Sequence, residues 1–156
     1  MEYVMMNGYP VSALEHLLEE GASTKTVEGR HPPIMFAVRG AIGASYETRL
    51  EYLHTLIKWG ANVNDVDPEG FCCLIHLIWC WPNVRGDWRR HGLQKYVDAL
   101  LDVPTINLHA AVLGKSALQW AEICEWPEMA QTIRRMQMLR RWTKLRVVWL
   151  MAILVH

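Results

Sequence analysis

The sequence has no hydrophobic run long enough to cross a membrane. Its longest apolar segment, residues 147–155, contains nine residues, whereas a spanning helix needs about 20. The first residues carry neither the basic stretch nor the apolar stretch of a secretory signal. We therefore expect an intracellular protein, cytoplasmic or nuclear, that is not secreted.

The sequence also has no net charge, because its 16 Lys and Arg residues balance its 16 Asp and Glu residues. No overall field then favours a nucleic acid, and we expect no specific nucleic-acid partner. The four cysteines do not indicate a disulfide framework, because a chain of 156 residues is long enough to bury its own core. We expect reduced thiols at Cys72, Cys73, Cys80 and Cys124.

Hydrophobic residues make up 51% of the sequence, which indicates one folded domain. The sequence also contains three similar segments. Residues 17–23, 56–64 and 100–107 each combine an apolar pair, a two-residue spacer and a turn residue. Apolar residues precede the first two at intervals of three and four, so we predict that amphipathic helices end there. Gly21 and Gly60 are predicted to leave their helices through the left-handed region.

A turn and a short apolar helix are predicted to follow each of these segments. The three strings run from Gly29 to Val38, from Gly70 to Trp79 and from Gly114 to Ala121. Together with Gly-Ala-Asn-Val-Asn at 60–64, they closely resemble ankyrin repeats. The family motif is Gly-x-Thr-Pro-Leu-His-x-Ala, followed by a second helix ending in Leu-Leu and then by Gly-Ala-x-x-Asn.

The third string matches the motif with Ser116 in the Thr place, Ala117 for Pro and Gln119 for His. In the other two strings, one extra residue before the helix puts Met35 and His76 in the His place. The resemblance covers residues 5–135 and implies an all-α solenoid of about four helix-turn-helix units with short β-hairpin or turn connections. We assign 1–138 to this ankyrin-like domain and 139–156 to a C-terminal tail.

The repeat spacing departs from the family. Leu17, Leu56 and Leu100 occupy equivalent places and lie 39 and 44 residues apart, against about 33 in ankyrin repeats. The extra residues fall at 40–45 and 81–92, which carry loop-forming residues between the two helices of a unit. We predict exposed insertions there, and an N-terminal cap in the first unit.

Ankyrin repeats bind other proteins through their hairpin tips and the concave face of their first helices. The resemblance implies partner-binding residues at the tips, namely Glu28, Arg30, Glu69, Phe71 and Lys115, and on first helices, namely Arg39 and Trp81.

The second insertion adds two candidates, Trp88 and Arg89, because Trp and Arg are enriched at interface hot spots. The alternative is that Trp79 and Trp81 pack under the loop, while its arginines are simply solvated.

A metal site competes for the cysteines. Cys72 or Cys73, His76 and Cys80 recur on one predicted helix face, with His91 as a fourth ligand. Because the paired Cys-x-x-Cys spacing of zinc sites is missing, we interpret these residues as core and predict no metal and no cofactor.

An active site is the other chemical candidate. Cys124 offers a nucleophile, and His54 or His109 offers a base. The sequence has no phosphate-binding loop, nucleophile elbow or zincin helix, so we predict that the protein is not an enzyme.

The C-terminal residues are strongly basic. Residues 129–156 contain no acid, and up to Ile78 the chain has 5 bases and 10 acids, against 11 and 6 after it. We expect the apolar run 147–155 to fold back as a capping helix. The alternative is that this run and the bases before it bind an anionic membrane surface or a partner; these bases are Arg134, Arg135, Arg140, Arg141, Lys144 and Arg146.

The sequence therefore predicts a non-catalytic protein–protein interaction module, an ankyrin-type scaffold or adaptor, whose partner is another protein. The alternative is a membrane-surface or acidic-partner adaptor that acts through the C-terminal tail, and a metal-dependent enzyme comes third. The sequence assigns no oligomeric state.

Overall fold

Short and longer helices alternate along the chain. The structure, a computed structural model, describes residues 1–39, 45–80 and 87–154, and it describes side chains there except at 87–91 and 144–154. The short helices are α1 (Glu2–Met6), α3 (Pro33–Arg39), α5 (Cys73–Cys80) and α7 (Ala117–Ile123). The longer helices are α2 (Val11–Glu19), α4 (Tyr46–Lys58), α6 (Asp87–Leu101) and α8 (Pro127–Leu154).

The helices pack in two layers. Helices α1, α3, α5 and α7 pack in succession as an inner layer, while α2, α4 and α6 form an outer layer. Each short helix also packs on the longer helix that follows it. This arrangement confirms the predicted all-α solenoid of helix-turn-helix units, whose core is the set of side chains buried between the layers, among them Leu14, Leu53, Leu74, Leu100 and Ile133.

Short turns connect the units, as predicted. Strands β1 (Ala111–Val112) and β2 (Lys115–Ser116) form an antiparallel hairpin before α7. The turn before α5 has a single bridge between Val66 and Cys72. The side chain of Asn64 ties successive turns together, because it accepts a hydrogen bond from the Asn107 N–H at 2.7 Å and donates one to the Thr105 carbonyl at 2.9 Å.

The predicted helix exits at glycine are confirmed. Gly21 has a φ of +89° and Gly60 a φ of +82°, in the region that L side chains rarely adopt. After α4, the N–H of Gly60 donates to the Ile57 carbonyl and the N–H of Ala61 to the Leu56 carbonyl, at 3.0 and 2.9 Å. The glycine conformation thus satisfies carbonyls at the helix end.

The helix starts confirm two of the predicted motif registers and correct the third. Before α7, Ser116 is the N-cap and forms a capping box with Gln119, the residue in the motif His place. Helix α3 starts at Pro33, which puts Met35 in that place as predicted. Helix α5 starts at Cys73, so Ile75 occupies the place and the prediction of His76 is wrong, because only the turn before α3 contains the extra residue.

The second predicted insertion is partly helical. Trp88 and Arg89 lie on the first turn of α6, not in a loop, but nothing is described of their side chains. Trp81 and residues 40–44 of the first insertion lie outside the described residues, and the last residue of that insertion, Ser45, is the N-cap of α4. Gly92 suggested a loop, yet it is inside α6, where a Cβ atom would overlap the ring of Tyr46. Close packing against this ring, not a turn, accounts for the glycine.

The apolar run at the C-terminus is helical. Residues 147–154 continue α8, a single helix of 28 residues from Pro127 to Leu154, and the expectation that this run caps the last repeat stays a prediction. The sequence 127–154 contains no helix-breaking residue after Pro127, which explains the continuity. The predicted boundary at 138/139 falls within this helix.

Candidate protein-binding groove

Three equivalent positions of the short helices lie exposed in succession on the inner layer, and the surface that they form with the turns beside them is called the groove here. The seventh residues of α3, α5 and α7 are Arg39, Trp79 and Ile123, and all three are exposed. Trp79 is 42% exposed and Ile123 is 53% exposed, although both are large and apolar. The inner layer therefore presents a cation, an indole and an aliphatic side chain in succession.

An aromatic row crosses this groove. The ring of Phe71, in the turn before α5, lies 5.6 Å from the ring of Trp79. Trp79 in turn lies 4.8 Å from Trp120 of α7. Both pairs are edge-to-face, which is a favourable arrangement for aromatic rings.

Lys115 extends the row onto the hairpin before α7. Its Nζ lies 5.4 Å from the ring centroid of Trp120, close enough for a cation–π contact. The indole N–H of Trp120 donates to the Val112 carbonyl at 3.2 Å. The hairpin therefore holds both the ring and the ammonium group in place.

An ionic cluster lies beside the aromatic row. Asp67 is a buried carboxylate, and its Oδ2 lies 3.5 Å from Nη1 of Arg39. The same Nη1 lies 2.7 Å from Nδ1 of His31. Because a buried carboxylate needs a partner, this contact explains why Arg39 is held over the turn.

The turn at 67–71 connects the cluster to the aromatic row. Oδ1 of Asp67 accepts hydrogen bonds from the N–H groups of Glu69 and Phe71 at 3.1 and 2.8 Å. The Asp67 N–H donates to the Phe71 carbonyl at 3.0 Å. A single aspartate thus fixes a turn that has the ionic cluster on one side and the Phe71 ring on the other.

One trio in this cluster has the composition of a metal site. Ligand atoms of His31, Asp67 and Glu69 all lie within 4.8 Å of one another. The guanidinium of Arg39, however, contacts both His31 and Asp67. A fixed cation already balances this carboxylate, so the donor set does not fit a metal ion.

The cysteines of α5 pack in the core. The Sγ of Cys73 lies 3.4 Å from the Sδ of Met35, and Cys72 is also buried. Burial raises the pKa of both thiols, which keeps them neutral and poorly nucleophilic.

His76 and Cys80 face each other on α5, with Nε2 and Sγ 3.6 Å apart. Burial, and then the charge of Arg39, lowers the pKa of His76, so the neutral imidazole is favoured. The predicted fourth metal ligand, His91, has a side chain outside the description.

Several predicted binding residues line this groove. Phe71 and Lys115 lie in the aromatic row, and Arg39 and Glu69 lie at the ionic cluster. The remaining tip residues, Glu28 and Arg30, are exposed in the turn before α3.

The sequence did not single out Trp120, His31 or Asp67 for this surface, and it left Trp79 to pack under the second insertion as an alternative. A correct motif register would have found Trp79. Arg39 is the seventh residue of α3, and Trp79 is the seventh residue of α5, so the two residues occupy equivalent places in their repeats.

Two of the basic residues of α8 already have partners within the protein. Arg140 donates hydrogen bonds to the carbonyls of Ile106 and Val103, and Arg134 pairs with Glu122. Arg135 and Arg141 are exposed and have no ionic partner among the described residues. Within the described part of the chain, no helix combines the length and apolarity needed to span a bilayer, and the predicted membrane-surface contact stays a prediction.

Comparisons with known proteins give the fold alone. No protein-family model matches the sequence, and no curated protein does either. Among solved structures, the chain is similar to an ankyrin repeat domain from Acinetobacter baumannii AYE, with a TM-score of 0.68 and 23% sequence identity. The match covers 87% of this chain and 63% of that one.

Proposed function

Because this chain has the ankyrin-repeat fold, we propose that it is a non-catalytic interaction module that binds a segment of another protein in the groove described above. The observation that carries the proposal is the exposure of Trp79. This ring is 42% exposed, so it is not a core residue of the helix stack. Edge-to-face contacts with Phe71 and Trp120 nevertheless fix its orientation.

A fixed, partly exposed indole is well suited to binding. Trp is enriched among the residues that dominate interface energies, and a ring that its neighbours already orient loses little conformational entropy when a partner covers it. The apolar part of the groove continues to Ile123. We infer that a partner places an apolar or aromatic side chain against Trp79.

The charges around the groove supply orientation. Lys115 is an exposed cation at one end of the row, and Glu69 is an exposed anion on the turn that carries Phe71. Charged groups at the edge of an interface select the partner and its direction more than they add affinity. The groove therefore favours a segment with a carboxylate near Lys115 and a cation near Glu69.

Two matched tryptophans provide the test. A library of random linear peptides is selected on the wild-type protein, and peptide affinities are then measured for Trp79→Ala and for Trp59→Ala. Trp59 is 40% exposed at the end of the outer helix α4, so it matches Trp79 in type and exposure. We expect Trp79→Ala to weaken binding at least about thirtyfold, or about 2 kcal/mol, while Trp59→Ala leaves it unchanged.

Lys115→Glu is a second groove variant, which keeps the test valid if Trp79→Ala destabilises the fold. Lys115 is exposed, so reversing its charge should preserve the melting temperature and still weaken the selected peptides. Equal affinities for the wild type and both groove variants, or equal losses at Trp79 and Trp59, would refute the groove assignment.

The cellular setting belongs to the same proposal. We place the protein inside the cell, cytoplasmic or nuclear, in agreement with its four free thiols. Burial raises the pKa of Cys124 as it does for the α5 cysteines. Thiols of this kind act as small apolar side chains of the core.

A further inference from the structure

The first helix pair forms an acidic, partly apolar surface. Residues 1–24 contain four acids and no Lys or Arg. Glu19 and Glu20 are exposed, and Glu2 and Glu15 are partly exposed. The same helix pair exposes three large apolar side chains, Tyr3 (68% exposed), Met6 and Tyr9. These three residues and the four acids are called the acidic end here, although Lys25 and Arg30 of the following turn line a groove with Glu2 and Tyr3.

The last helix carries the opposite charge. The basic face of α8 consists of two exposed arginines, Arg135 and Arg141, and three exposed apolar residues, Met138, Leu139 and Trp142. Arg135, Met138 and Trp142 follow one another at intervals of three and four, so they lie on one side of the helix. The buried residue Ile133 lies on the other side.

The exposed apolar side chains concentrate on these two surfaces. Among the twelve large hydrophobic residues that are exposed in the described part of the chain, three belong to the acidic end and three to the basic face of α8. Exposed apolar clusters on a soluble protein mark interaction surfaces. Half of this exposed apolar set thus lies on two surfaces of opposite charge.

An open groove strengthens the positive field beside α8. It has a volume of about 1210 Å³ and lies between α8 and residues 104–109. Its lining includes Arg140 and Arg141, and also Arg134, whose charge Glu122 partly balances, and no carboxylate lines it. A groove of this charge favours an acidic occupant.

From these observations we infer that copies of this chain associate head to tail, with the acidic end of one copy bound to the basic face of α8 of the next. The two surfaces belong to opposite ends of the order in which the helices pack, from α1 to α8. Every copy supplies both surfaces in equal number. The net charge is +0, so copies do not repel one another as a whole.

This contact is heterologous, because two different surfaces meet. Such an interface leaves one acidic end and one basic face free in every dimer, so it continues into a ring or an open chain of copies. Ionic contacts among exposed groups weaken as salt is added. Assembly should therefore rise with protein concentration and fall with ionic strength.

Charge reversal on each surface tests the inference. Glu19→Arg with Glu20→Arg alters the acidic end, and Arg135→Glu with Arg141→Glu alters the basic face, at exposed positions. Molar mass is measured by light scattering and sedimentation over a range of concentration and salt. We expect either pair to raise the dissociation constant at least about tenfold, and the fourfold variant to restore association, because its two surfaces are complementary again.

The control is Glu51→Arg with Asp102→Arg, which changes the net charge as much as the acidic-end pair does, at exposed sites outside both surfaces. This control should assemble like the wild type. Any of three results overturns the inference: a wild type that stays monomeric at low salt and high concentration, a fourfold variant that stays monomeric, or a basic-face pair that still assembles as the wild type does. Circular dichroism of every variant verifies that the fold is retained.

Discussion

At the scale of single residues, Tyr96 owes its environment to a residue 50 positions earlier in the chain, Tyr46. It is buried, and its hydroxyl donates to the Tyr46 carbonyl at 3.1 Å. Its ring lies 4.9 Å from that of Tyr46, edge to face. Burial raises the pKa of Tyr96 from 10.0 to about 12, and burial also raises the pKa of Tyr46.

This environment predicts a loss of stability at alkaline pH. Between about pH 10 and pH 12 the folded protein retains the Tyr96 proton that the unfolded chain releases, so the free energy of unfolding falls as the pH rises through that window. We expect Tyr96→Phe to show a smaller fall than the wild type. Urea unfolding of both proteins at about pH 8 and about pH 11 measures the difference.

Phenylalanine at position 96 also loses the hydrogen bond to Tyr46, so the variant should be less stable at neutral pH by about 1 kcal/mol. The pH prediction concerns the slope and not this offset. Identical slopes for the two proteins would show that Tyr96 does not titrate in this window.

At the scale of elements, Gly92 controls how α6 packs on α4. Glycine inside a helix costs about 1 kcal/mol relative to alanine, so propensity alone favours Gly92→Ala. A Cβ atom at this position, however, would overlap the Tyr46 ring. We expect Gly92→Ala to destabilise the protein by about 1–3 kcal/mol, the usual cost of overpacking.

Tyr46→Leu removes the ring and separates the two effects. In that background, Gly92→Ala should cost much less or become stabilising, so the two substitutions should be strongly non-additive in a double-mutant cycle. Urea unfolding of the four proteins provides the measurement. Additive effects would mean that the ring and the glycine are not in contact.

At the scale of the whole molecule, the described contacts of α8 with the stack lie in its first half, from Pro127 to Arg140. Its side chains are buried as far as Ile133 and partly buried at Gln137 and Arg140, but residues 141–143 are all exposed. Three consecutive exposed residues cover most of a helical turn. The uncovered part of the turn is the side of Ile133, Gln137 and Arg140, and the described hydrogen bonds from α8 to the stack end at Arg140.

A pair of truncations tests this view. Removing 147–156 should shift the melting temperature by less than about 3 °C, the change that about 1 kcal/mol produces in a chain of this size. Removing 137–156 also deletes the hydrogen bonds from Gln137 to Leu108 and from Arg140 to Ile106, and it should lower the melting temperature by more. Calorimetry in high salt, where association is weakest, compares the two.

Early melting of the shorter deletion would instead establish the apolar run as a cap of the last repeat, as the sequence suggests. Unchanged melting of both deletions would contradict the role given to Gln137 and Arg140.

The sequence by itself determined the features that depend on close neighbours along the chain. Periodicity placed the helices, and the glycines marked their exits at Gly21 and Gly60. Ser116 and Gln119 identified the start of α7, which the capping box confirms. Helical spacing and turn chemistry act over about four residues, so a reading of the chain is enough to find them.

Only the tertiary structure decided the features that join distant segments. Trp79 meets Trp120 and Arg39 meets Asp67 because stacking brings one unit against the next. The place of Gly92 inside a helix was hidden for the same reason, since the ring that requires it belongs to α4. Partners of this kind are set by the packing of helices and not by local preference, so the sequence named four residues of the groove but not the row that they form.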